Sequence, residues 1–295
     1  MPVLYHPAAS DIAFFREHGW WVSPPILAED LLAELRIGVG RYLAGERDWA
    51  LPENLGAAPD EAPVAQIDYL SLQLKEFHRV VRSPQIGAIA AALADTDSVR
   101  LFHDQLVIKW PRPRDREGVV GWHTDKAYWQ SCSSSNMLTA WIPLEDVPKE
   151  AGPLAVWDGS HKWQHVEHLH TFDCDDLAAL EQPFRDLGLE PDIRLLEIRK
   201  RELSFHHCRL VHGSHANRTG TPRCAYAIHL QDADNRFWST STSGRRPGHI
   251  NDLLCRKTPM GMPDYEDPDI CPRLWPPAPT SEGTAASAPK PGSPD

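Results

Sequence analysis

The stretch Arg209–Leu230, RLVHGSHANRTGTPRCAYAIHL, holds two short extended runs around a turn. RLVH is largely apolar and ends in His212. Gly213 and Ser214 break it, Asn217 follows, and Thr219-Gly220-Thr221-Pro222 makes a second turn. From Arg223 the chain alternates. Arg223, Ala225, Ala227, His229 and Gln231 share one face, and Cys224, Tyr226, Ile228 and Leu230 share the other. The second face is bulky and apolar and belongs in sheet packing. The first sets an arginine beside two alanines, which leaves room for an anion against a two-pronged guanidinium. The competing reading is a surface arginine at a strand start.

The same texture extends upstream to about residue 100. LFHDQLVIKW, MLTAWIPL, PLAVW, LLEI and ELSFHH are β-prone runs punctuated by Pro, Gly and Asp. Many short strands of this kind predict a β-sandwich or barrel. DLAALEQPFRDLG is a helical interruption. The first hundred residues are helical in pattern. DIAFFREHG has Ser10 as its cap and Gly19 as its stop. AEDLLAELRIGVGRYLAGE has helical spacing, and PQIGAIAAALADT carries Pro84 in its first turn. Residues 46–66 read as a surface loop, and the proline-rich residues 276–295 as a disordered tail. The expected organisation is mainly β with flanking α-helices: one domain over 1–275, helices covering a sheet core that starts near residue 100, then the tail.

Composition narrows the function. The net charge of -11 argues against sequence-independent nucleic-acid binding. No apolar run approaches the ~20 residues that span a bilayer, and the N-terminus has no secretory pattern. Six cysteines without CxxC spacing predict reduced thiols and a cytoplasmic protein. Oligomeric state is not legible.

The chemistry centres on VGWHTDKAYW, residues 120–129. His123 and Asp125 stand at i and i+2, so both side chains can converge on one ion. His212 is the candidate third ligand. Two imidazoles and a carboxylate suit a divalent first-row metal, and as a facial triad they suit non-haem Fe(II) with open positions. Arg223 would then hold a carboxylate of a bound cosubstrate.

With FFREHGWWV, DQLVIKWP, GWHTDKAYW, LTAWIPLEDV, AGPLAVWDGSHK and LVHGSHANRTGTPR in order, the chain resembles the phytanoyl-CoA dioxygenase family over roughly residues 12–235. The resemblance implies a double-stranded β-helix, or jelly roll, and Fe(II), 2-oxoglutarate and O2 as cofactor and cosubstrates. It implies His123, Asp125 and His212 as iron ligands and Arg223 as partner of the C5 carboxylate of 2-oxoglutarate. Ser214, Trp141 and Gln105 match positions in the cosubstrate pocket. Trp141 could equally be core, and Gln105 bonded to a neighbouring strand; His161 in DGSHK reads as structural. The reaction implied is oxidation at an unactivated C–H bond, with succinate and CO2 as coproducts. Asp125 favours hydroxylation over halogenation, since related halogenases have a small residue there; desaturation, epoxidation and ring chemistry stay open.

Substrate contacts are expected from Asp68, Tyr69, Lys126, Tyr128, Trp129 and Trp238, which flank the iron motif or the barrel mouth. The preferred substrate is a small secondary metabolite or amino-acid-like molecule. The alternative within the family is an acyl-CoA, whose phosphates would need a basic patch such as Arg112, Arg114 and Arg116, although a solvated charge run is the other reading of those residues. Outside the family, the rivals are a non-oxidative cupin-like isomerase or hydrolase and a metal-free binding module.

Overall fold

A computed structural model describes residues 4–52, 62–111, 118–239 and 248–277. The tail beyond 277 and Arg112, Arg114 and Arg116 lie outside the described residues.

Four helices come early: α1 Ala9–His18, α2 Glu29–Leu43, α3 Lys75–Val81 and α4 Pro84–Ala94. Three more follow: α5 Asp125–Tyr128, α6 Leu177–Asp186 and α7 Asn251–Leu254. The strands are β1 Trp20–Val22, β2 Val64–Asp68, β3 Val99–Lys109, β4 Val120–His123, β5 Leu138–Pro143, β6 Leu154–Trp157, β7 Ile193–Leu196, β8 Ser204–His207, β9 His212–Ser214, β10 Arg223–Asp232 and β11 Arg273–Trp275. They form two separately hydrogen-bonded sheets. The larger runs β1-β8-β5-β10-β3-β11, with β2 also on β3, and the smaller runs β4-β9-β6-β7. Among the described residues every paired strand is antiparallel to its neighbour. This is the jelly-roll arrangement, with helices on one side, as expected.

The alternation of β10 decides what each sheet face does. Tyr226, Ile228 and Leu230 pack outward with Leu32, Leu35, Phe77, Ile86 and Ile89 from α2, α3 and α4. Each such side chain stabilises the fold by about 1.5–3 kcal/mol when fully buried. Ala225 and Ala227 point inward, and the small side chain of Ala227 lines a hollow between the sheets.

Three local expectations are corrected. α1 is capped at Ala8, not Ser10: the Asp11 carboxylate accepts the Ala8 N–H at 2.8 Å, and Ser10 lies inside the helix. Gly19 does end it, in the left-handed region at φ 78°. The expected loop over 46–66 runs into β2, whose Val64, Gln66 and Asp68 pair with β3. His212 begins a strand rather than ending one: it opens β9.

Candidate metal centre and adjoining cavities

β4 and β9 pair with His123 directly opposite His212. Asp125 follows β4 as the first residue of α5, where the chain turns the carboxylate back toward both imidazoles. One ligand atom from each of the three residues can be chosen so that all lie within 4.8 Å of one another, and all three residues are buried.

Each imidazole is held by its own strand. His123 Nδ1 lies 2.8 Å from the Gly121 carbonyl, and His212 Nδ1 lies 2.9 Å from the Leu210 carbonyl. A carbonyl only accepts, so both Nδ1 atoms donate, and each Nε2 keeps a free lone pair for a cation. Burial lowers the pKa of His123 and lowers that of His212 much further, His123 and His206 adding to the effect on His212. For Asp125 burial pushes upward, but His212, His206 and His229 outweigh it and hold the carboxyl well below the usual range. Neutral imidazoles and an ionised carboxylate are the forms that bind a metal. His206 is a further buried imidazole here. Among the described residues neither of its ring nitrogens has a hydrogen-bond partner, and Nε2 lies 3.3 Å from Asp125 Oδ2.

The triad lines a hollow of about 60 Å³ with Trp141, Ser214, Arg223, Gln105 and Ala227. Arg223 is buried, and among the described residues its Nε has no partner and no carboxylate faces it. Burial lowers its pKa to about 10, so it stays charged at neutral pH. Trp141 lies under it, with the guanidinium carbon 5.4 Å from the ring centroid. A buried unpaired guanidinium calls for an anion. Ser214 Oγ receives the Lys109 ammonium at 2.5 Å, which leaves its own hydroxyl proton for a ligand. The donor set therefore fits both a divalent metal and a carboxylate-bearing cosubstrate.

A second cavity of about 340 Å³ shares His123, Asp125 and Gln105 with the first. Asp68, Tyr69, Tyr128 and Trp129 line it, as do His103, His249 and Phe172, which sequence reading did not single out. Two expected contacts lie elsewhere. Lys126 turns away to donate to the Cys132 and Ser134 carbonyls at 2.7 and 2.8 Å, so its charge is spent on the loop that follows α5. Trp238 is 61% exposed and lines neither cavity. Its backbone is held to Ser131, which leaves the ring outside. His161 lines neither cavity and points at the Arg16 carbonyl.

Fold and site together define a class, the non-haem iron, 2-oxoglutarate-dependent oxygenases of jelly-roll fold. Within it, the chain belongs to the phytanoyl-CoA dioxygenase (PhyH) family, whose model matches residues 15–225. The peroxisomal phytanoyl-CoA dioxygenase of Rattus norvegicus is 24% identical over 266 residues, covering 86% of this chain and 78% of that protein. The non-heme alpha-ketoglutarate dependent carbocyclase SnoK from nogalamycin biosynthesis is 25% identical with a TM-score of 0.63, over 82% of this chain and 92% of its own. The epimerase SnoN, solved with Fe3+, alpha ketoglutarate and nogalamycin RO, shares the fold at a TM-score of 0.66 and 23% identity, over 90% of this chain and 97% of its own.

Proposed function

We propose that this dioxygenase hydroxylates an unactivated C–H of a small molecule, with iron on His123, Asp125 and His212 and 2-oxoglutarate anchored by Arg223. The observation that carries this reading is the buried, unpaired Arg223 in the same hollow as the triad. Bound iron with 2-oxoglutarate and O2 supplies the oxidising power, and succinate and CO2 leave as coproducts.

The chain's own residues bind, orient and exclude water. Arg223 offers the far carboxylate a planar fork, and the Ser214 hydroxyl donates beside it. Trp141 and Ala227 close the hollow so that this pairing is made away from water, where it is stronger. Gln105 stands in the wall between the two cavities. The substrate would enter the larger cavity, where Asp68, Tyr69, Tyr128 and Trp129 meet it. Among the described residues lining that cavity there is no Lys or Arg, while Asp68 and Asp173 are acidic. This favours a small metabolite or amino-acid-like molecule over an acyl-CoA, whose phosphates need cations. The catalytic unit is taken as residues 1–275. A cytoplasmic setting is supported by six free thiols; no helix among the described residues is long and apolar enough to cross a membrane.

The test is anaerobic titration of the metal-free protein with Fe(II) and 2-oxoglutarate, followed through the weak visible charge-transfer band of the chelate. A saturable band needing both components is the expected result. His212→Ala should abolish turnover and weaken Fe(II) binding. Arg223→Ala should raise the 2-oxoglutarate requirement steeply and leave Fe(II) binding largely intact. Absence of the band in folded, Fe(II)-binding wild type would overturn the cosubstrate and bring forward a non-oxidative metal enzyme. Candidate substrates, acyl-CoAs included, are then ranked by stimulated succinate release in air.

A further inference from the structure

We propose that Thr139 and His229 are positioning residues: His229 orients the Thr139 hydroxyl, and Thr139 fixes Asp125 so that only one of its oxygens is free for a metal. This rests on the reading of the triad as an iron site.

The two oxygens of Asp125 have different surroundings. Oδ2 lies 2.6 Å from the Thr139 hydroxyl and 3.3 Å from His206 Nε2, whereas Oδ1 faces His212 Nε2 at 3.6 Å. A carboxylate can only accept, so the single hydroxyl proton of Thr139 goes to Asp125 Oδ2. Thr139 Oγ1 is then an acceptor for His229 Nδ1, 2.8 Å away. A neutral imidazole that donates from Nδ1 has no proton on Nε2, so the 3.2 Å approach of His229 Nε2 to Gln105 Oε1 carries no donated bond and the row ends at His229. The row thus runs His229–Thr139–Asp125.

Strand register builds the row. His229 on β10 sits opposite Thr139 on β5. The last bond crosses from the large sheet to Asp125, which follows the small sheet. Thr139 and His229 are both buried, so water does not compete for these bonds. Turning Asp125 to present both oxygens would break the bond to Thr139. A one-oxygen ligand fills one coordination position and leaves the others for small molecules.

The experiment is anaerobic Co(II) binding to the metal-free full chain, read by affinity and by the visible bands of the bound ion. Thr139→Val keeps the shape and removes the hydroxyl. It should weaken Co(II) binding by about ten- to a hundredfold and change the bands, as loss of a partner behind a ligand does. Thr139→Ser should restore both. His229→Leu removes the donor that turns the Thr139 hydroxyl toward Asp125; it should shift Co(II) affinity or bands in the wild-type background and have no further effect in Thr139→Val. Where Thr139→Val fails to fold, His229→Leu keeps the test, since wild-type affinity and bands in that folded variant would overturn the inference. Wild-type affinity and bands in folded Thr139→Val, or a His229→Leu effect of equal size with and without Thr139→Val, would overturn this inference alone. A wild-type chain that binds no Co(II) would overturn the iron-site reading and this inference with it.

Discussion

Lys109 shows how much one residue can do behind a site. It is fully buried, and its ammonium reaches Ser214 Oγ and the His215 carbonyl at 2.5 Å and the Ser214 carbonyl at 3.3 Å. Among the described residues no carboxylate pairs with it. Burial drives its pKa well down, with Arg223 nearby adding to the effect. Lys109→Met should therefore leave three acceptors without a donor and lower stability by about 2–3 kcal/mol, measured by urea unfolding. It should also raise the 2-oxoglutarate concentration needed for half-maximal chelate absorbance, because Ser214 loses its fixed hydroxyl. An unchanged requirement would remove Lys109 from the cosubstrate site. Arg223 was legible in the sequence because two alanines follow it on its face. Lys109 was not: a lysine at the end of QLVIKW has the same pattern whether it faces water or Ser214. Thr139 and His206 were hidden for the same reason, since their partners lie on other strands.

Among the elements, the β4–β9 pair carries the greatest constraint. A Cβ built on Gly213 would lie 2.6 Å from the Val120 carbonyl oxygen and 3.1 Å from that of Gly121. Gly213→Ala must push β9 away from β4, and these two strands are what set His123 opposite His212. The expected outcome is a loss of about 1–3 kcal/mol together with weaker Co(II) binding; retention of wild-type metal affinity would mean that the pair tolerates the shift. Strong strand and helix signals were legible: β10 by its alternation, α4 by Pro84, and the end of α1 by Gly19. The failures were local competitions. Asp11 accepts the Ala8 N–H from inside the helix, and the helix begins ahead of Ser10. β2 follows an alanine- and proline-rich approach, so its pairing with β3 could be read only from three dimensions.

At the scale of the whole molecule, acid sensitivity follows from groups away from the metal centre. Burial, aided by Arg82, lowers His78 to about 4, and burial, aided by His161 and Arg209, lowers His207 to about 3. Both folded values lie below the ordinary 6.5. The unfolded chain therefore binds these protons first, so the stability held above pH 6.5 drains away as pH falls toward 4 and 3. Asp48, held at about 2 by Arg41 and the Lys75 N–H, adds a loss between its ordinary 3.8 and about 2. Urea midpoints should fall from pH 7 to pH 5, and His78→Gln should flatten that fall; parallel profiles would sink the assignment. The jelly roll itself was legible from its many short strands. The wall of the larger cavity was not, because His249 comes from a segment with no alternation. Asn251, close by, is placed by bonds to Tyr69 Oη and the Phe102 carbonyl. The position of β10 in the large sheet also has a consequence for biogenesis. It lies between β5 and β3, yet it is made after both. Until residue 232 has been synthesised, β8 and β5 have no strand joining them to β3 and β2. Topologies ruled by such distant pairings fold slowly, in about milliseconds to seconds. A nascent chain stopped before Arg223 would carry His123, Asp125 and His212 and still lack β10 behind them, so the proposed metal site is not complete until β10 has been made.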